Sequence, residues 1–101
     1  MPTAPRVPTS RGLCLVCGLD FRNCPDYLPE DWPWGADGMT SSFEYCPCCG
    51  VQFGYQDSLL TGVRRCRLQW QEQGMPWSEP GEKPPEWQPV TQMAAIPPRA
   101  R

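Results

Sequence analysis

Two short stretches constrain this chain more than anything else in it: Cys14-Leu15-Val16-Cys17-Gly18 and Cys46-Pro47-Cys48-Cys49-Gly50. Each sets two thiols at Cys-x-x-Cys spacing with a glycine behind the second. Two intervening residues let one tight turn aim both sulfurs at a single ion. The glycine accepts a left-handed backbone, which lets amides point at the sulfurs. Doubled across the 28 residues between Cys17 and Cys46, the pattern predicts a four-thiolate tetrahedral site of the closed, structural zinc kind. Buried thiols or disulfides account poorly for the doubled spacing, and a redox dithiol normally stands alone at a helix start. The predicted ligands are Cys14, Cys17, Cys46 and Cys49. Cys48 lies inside the second turn, where pairing with Cys46 makes a poorer bite. Cys66 reads as a small core residue, and Cys24, before Pro25, as a half-exposed loop thiol.

A metal is also what the rest of the chain asks for. Among 101 residues, Leu, Ile, Val and Phe number only 16, while there are 14 Pro and 5 Trp. So few aliphatic residues fall in the range of disordered chains. The net charge of −2 lacks the other mark of disorder. A domain this small is marginal without help, and a metal with large aromatic rings supplies it. The 7 cysteines are odd in number, which argues against a disulfide framework and for a reduced, cytoplasmic protein. The Pro-rich start, Met1 to Arg11, has no apolar core of the secretory kind. No apolar run approaches the roughly 18 residues of a membrane span. Histidine is absent, which removes imidazole ligands and His-based acid–base chemistry.

Along the chain, residues 1–11 are expected to be a flexible lead, 12–90 a single domain and 91–101 a loose tail. The Pro-, Asp- and Gly-rich stretch 23–42, holding Trp32-Pro33-Trp34, is a loop. Residues 58–73 form the one good helix, with Thr61 as a cap and Val63, Cys66 and Trp70 on one face. Gly74 and Pro76 stop it. The Pro-rich segment 75–90 is extended chain that folds Trp77 and Trp87 back onto the domain. The expected fold is a small metal-stabilised α+β unit: a zinc-ribbon or rubredoxin-like knuckle pair with short antiparallel strands, one helix and a Pro/Trp-rich C-terminal wrap. No internal repeat extends beyond the two knuckles.

Two further groups are candidate partner surfaces. Trp32 and Trp34 form a loop edge, and Arg64, Arg65 and Arg67 form a basic helix face suited to a protein or to nucleic acid. The acidic balance and a single lysine, Lys83, weigh against charge-driven nucleic-acid binding. The carboxylates Asp20, Asp26, Glu30, Asp31 and Asp37 show no spacing for acid–base work. No nucleophile stands beside a base, so no enzyme and no small-molecule substrate are legible.

The stretch Phe43-Glu44-Tyr45-Cys46-Pro47-Cys48-Cys49-Gly50-Val51-Gln52-Phe53-Gly54-Tyr55-Gln56-Asp57 resembles a family of small bacterial proteins with a cysteine-rich "CPCC" core. The resemblance includes Cys14-x-x-Cys17-Gly18 and continues through Arg67-x-x-Trp70-x-x-x-Gly74-x-x-Trp77 and Pro84-Pro85-Glu86-Trp87-x-Pro89 to Gln92, covering about residues 13–92. It implies a zinc-ribbon-like protein of the bacterial cytoplasm and no particular activity. The paired knuckles also resemble rubredoxins, which bind one iron and pass single electrons, although those chains usually end soon after the second knuckle. The expectation is a zinc-binding, non-catalytic protein-interaction module. An iron electron carrier and a nucleic-acid-binding ribbon are the alternatives.

Overall fold

The computed structural model describes residues 12–101; the lead expected over 1–11 lies outside them. The chain is organised by its two knuckles, which are built alike. In the first, Cys14 N donates to Leu19 O at 2.9 Å and Gly18 N to Cys14 O at 2.7 Å. In the second, Cys46 N donates to Val51 O and Gly50 N to Cys46 O, both at 2.9 Å. Gly18 and Gly50 carry φ of +88° and +82°, the left-handed backbone that these turns require. One antiparallel bridge closes each knuckle, Leu13 with Asp20 and Tyr45 with Gln52.

The expected antiparallel strands do not form: among the described residues the chain has these two isolated bridges and no strand or sheet. The reason is local. After the first knuckle the chain coils at once into a 3₁₀ turn, Phe21–Asn23. Before the second, Phe43 takes φ of +60°, and after it Gly54 takes +87°. Both ladders are therefore cut at their ends before they reach strand length.

The likeness between the knuckles extends further than the sequence reading expected. Phe21 and Phe53 stand in equivalent places, four residues past Cys17 and Cys49. Phe21 N donates to Gly12 O and Phe53 N to Glu44 O. Both rings are fully buried and meet edge to face, centroids 5.7 Å apart. The core thus grows outward from a pseudo-repeated pair of cysteine turns, each contributing one phenylalanine.

The long helix α1 spans Leu60–Glu72, inside the expected 58–73. Leu59 occupies the cap position without a side-chain hydrogen bond, so Thr61 lies within the helix and does not cap it. Gly74, at φ +91°, ends it, and Met75 N returns to Trp70 O at 2.8 Å. The helix buries Val63, Arg67 and Trp70, while Cys66 is half-buried. Beyond it, Trp77 and Trp87 fold back as expected. The Trp87 ring lies 5.5 Å from Trp77 and 6.2 Å from Trp70, centroid to centroid.

The tail over 91–101 is packed, contrary to the looseness expected of it. A short helix α2, Pro89–Met93, leads into a 3₁₀ turn at Pro98–Ala100. Ile96 and Ala100 are buried. The tail lies against α1 because arginines of that helix bond its carbonyl oxygens. The Cα radius of gyration, 12.6 Å, is that of a compact domain of this length.

Candidate metal centre

The four knuckle cysteines converge. The Sγ atoms of Cys14, Cys17, Cys46 and Cys49 all lie within 4.8 Å of one another. The nearest contacts cross between knuckles: Cys14 to Cys49 and Cys17 to Cys46, each 3.7 Å. Metal–sulfur bonds of about 2.3 Å in a tetrahedron place sulfurs about 3.8 Å apart, so the donor set fits a metal ion. Cys14, Cys17 and Cys46 are fully buried and Cys49 is partly exposed. None of the seven cysteines is in a disulfide.

Electrostatics point the same way. Burial pushes the Cys17, Cys46 and Cys49 thiols above their ordinary range. Burial opposes ionisation of Cys14 too, but hydrogen bonds from Cys17, Cys46 and Cys49 outweigh it and hold that thiol well below the usual value. Three thiols can support one thiolate. Four thiolates in contact in a dry interior need a cation among them.

The turns are braced from outside at matching atoms. In the first knuckle the two carbonyls between the cysteines are bonded by Arg67: Nη2 donates to Leu15 O at 2.7 Å and Nε to Val16 O at 2.8 Å. In the second, Ser78 N donates to Cys48 O at 2.9 Å and Glu79 N to Pro47 O at 2.8 Å. Gln92 joins the two. Its Nε2 donates to Cys17 O at 3.1 Å and reaches Cys48 Sγ at 3.4 Å, while Trp87 Nε1 holds its Oε1 at 2.9 Å. Gly18 lets this segment approach, since a Cβ there would strike Gln92 O.

Arg67 therefore corrects the basic helix face. It is buried, and a third bond from Nη2 reaches Ala100 O at 2.7 Å. Arg64 donates to Arg101 O and Arg99 O, and Arg65 is exposed. Arg64 and Arg67 both turn to carbonyl oxygens of residues 99–101, while Arg65 stays exposed. The register had a signal: Arg67 follows Val63 by four residues and precedes Trp70 by three, which puts it on the buried face.

Trp32 and Trp34 are both half-buried. Trp32 packs against the core. Trp34 Nε1 donates to Asp57 Oδ2 at 3.1 Å. Asp57, the last residue of the CPCC-like stretch, is 2% exposed and also accepts from Gly54 N. Its burial, opposed by the Gly54 hydrogen bond, raises the carboxyl to about 6. Cys48 is buried outside the four-sulfur cluster. Cys24 is half-buried with its thiol on Asp20 O. Cys66 lines a small cavity together with Cys49. The large exposed aromatics are Phe43, Tyr45 and Tyr55, around the second knuckle.

No protein-family model matches the chain, and no solved structure matches it. An uncharacterized protein of Bacillus subtilis (strain 168), YoaQ, is weakly homologous. It is 29% identical over 89 residues, covering 72% of this chain and 68% of its own. Among the described residues no helix is long and apolar enough to cross a membrane.

Proposed function

We propose that this is a zinc protein whose Cys14, Cys17, Cys46 and Cys49 site is structural, and that it acts as a non-catalytic module for binding another protein in the bacterial cytoplasm. The carrying observation is the convergence of four sulfurs, three of them buried, at the point from which the core grows. A closed four-thiolate shell leaves no open position for substrate. Metal binding then contributes folding free energy that 16 aliphatic and phenylalanine residues supply poorly. The likeness to the "CPCC" family and the weak homology to YoaQ agree with a small bacterial protein of this kind.

The partner surface we favour is the aromatic rim of the second knuckle, not Trp32 and Trp34. Phe43, Tyr45 and Tyr55 are 60%, 63% and 74% exposed. Exposed aromatics are enriched in protein interfaces. Phe43 is held at φ +60°, with Ser41 Oγ accepting from its N at 3.1 Å and Gln52 Nε2 donating to its O at 3.2 Å. A non-glycine residue kept in that region is strained, and such strain clusters at functional positions.

Elemental analysis and an absorption spectrum test the metal. About one zinc per chain in a colourless, folded protein is the expected result. A red protein carrying iron would instead establish the rubredoxin-like reading, and a folded, metal-free protein would end both. For the partner, the triple variant Phe43→Ser, Tyr45→Ser, Tyr55→Ser is expected to keep its zinc and lose the protein that the native chain captures from its host. Unchanged capture would exclude this rim.

A further inference from the structure

A groove of about 460 Å³ runs between α1 and the C-terminal segment, and none of the cysteines lines it. One wall is apolar, formed by Val90, Met93, Ala94 and Ile96, and Arg67 and Arg101 supply its charge. No carboxylate side chain lines it. Its size falls in the range of small-molecule sites, about 300–1,000 Å³.

Both guanidiniums are fixed before any ligand arrives. Arg67 spends Nε and Nη2 on the carbonyls of Val16, Leu15 and Ala100. Arg101 donates from Nε to Ile96 O and from Nη2 to Ala94 O, each at 2.9 Å. The Nη1 group of each has no acceptor among the described residues. Arg64 is turned to Arg99 O and Arg101 O and is not part of the lining. Burial lowers the Arg67 pKa; the Cys14 and Cys17 sulfurs oppose that shift, and the Arg64 and Arg101 charges add to it. Two guanidiniums in one groove, with no carboxylate side chain in its lining, favour an anion there.

We propose that this groove binds a small carboxylate with a hydrocarbon body. The head accepts from Nη1 of Arg67 and Arg101, and the body lies along Met93, Ile96 and Val90. A planar carboxylate matches guanidinium donors held in fixed orientation. The apolar wall sets such a ligand apart from a free inorganic anion. Val90, 74% exposed, forms the rim, and Gln71 Nε2 on Met93 Sδ, 3.6 Å away, steadies the far wall.

Octanoate, titrated into the metal-loaded protein carrying methyl-labelled methionine, is the probe. A saturable shift of the Met93 methyl is expected, with no shift at exposed Met39. Octanol and acetate, each lacking half of the ligand, should bind at least about tenfold more weakly, as expected for loss of a charge-assisted hydrogen bond or of a buried alkyl chain. Arg101→Gln should weaken octanoate by about tenfold. Because Arg101 also holds the tail, Val90→Glu is the second variant: it changes an exposed rim residue, and its carboxylate should weaken octanoate comparably. The proposal is overturned by any of four results. These are no saturable shift at Met93, an equal shift at Met39, octanol binding as tightly as octanoate, or native affinity in both variants. Tighter binding of octyl phosphate would overturn the carboxylate assignment.

Discussion

Arg67→Met keeps the length and apolar stem of the side chain and removes its guanidinium. The native group gives three hydrogen bonds of 2.7–2.8 Å, to the carbonyls of Val16, Leu15 and Ala100. Those residues are 1%, 3% and 0% exposed, so water reaches the orphaned oxygens poorly. A hydrogen bond to a charged group contributes about 1.5–3 kcal/mol, and a buried acceptor left unpaired costs about 1–3 kcal/mol. The three carbonyls share one donor group, so these effects overlap, and the methionine no longer buries a charge. The expected net loss is about 3–5 kcal/mol, as for breaking other buried charged contacts. Against a domain stability of about 5–15 kcal/mol, that is a large part of the whole. Two of the carbonyls lie between Cys14 and Cys17, so zinc affinity should fall as well. Urea unfolding followed by tryptophan fluorescence gives the first quantity, and zinc transfer to a chromophoric chelator gives the second. Arg67→Lys should recover part of the loss, because an ammonium keeps the charge but not the planar fork. Arg65→Ala, at an exposed position, should stay within about 0.5 kcal/mol of the native protein. Native stability and zinc retention in Arg67→Met would refute the idea that this side chain braces the first knuckle.

Cys49→Ser should abolish zinc binding and cooperative folding, because a hydroxyl replaces thiolate poorly and structural zinc supplies roughly 10–16 kcal/mol of apparent binding energy. Cys48→Ser should keep its zinc; equal zinc loss in the two thermal melts would make Cys48 a ligand. Asp57 is raised from 3.8 to about 6 in the folded chain, chiefly by burial. The folded state therefore holds a proton that the unfolded state has lost between about pH 4 and 6, and stability should fall as pH rises through that window. Asp57→Asn should flatten that part of the profile, which urea midpoints measured with zinc content across pH will show; an unchanged slope would remove Asp57 as its source. Gly18→Ala should destabilise more than Gly74→Ala in thermal melts. Both sites have φ near +90°, which costs roughly 1–2 kcal/mol with a Cβ. Only at Gly18 would the added carbon also strike Gln92, whereas nothing lies within 4 Å at Gly74.

Spacing along the chain was enough to find the four sulfurs, because two Cys-x-x-Cys-Gly turns encode their geometry within five residues each. Local chemistry also located α1, stopped it at Gly74 and expected the tryptophans to fold back. The extended likeness of the knuckles was written in the sequence too, with Leu19 and Phe21 matching Val51 and Phe53. Its meaning came only when the two phenylalanine rings met.

Tertiary structure decided the rest, for reasons that no local rule carries. Short apolar runs beside the cysteines look like strands, yet the backbone reversals at Phe43 and Gly54 and the coil at Phe21–Asn23 end both ladders after one bridge. Arg67 looks like one cation of a solvated trio until the first knuckle and the tail place three carbonyls around it. Its role depends on residues 51, 52 and 33 positions away in sequence. The tail looks loose by composition, but its packing comes from acceptors offered to arginines of another element. Asp57 looks like an ordinary surface acid, and only the arrival of Trp34 and the Gly54 amide makes it a buried one. A sequence states which groups can bond; which donors reach which orphaned carbonyls is fixed when distant segments close on the same cysteine turns.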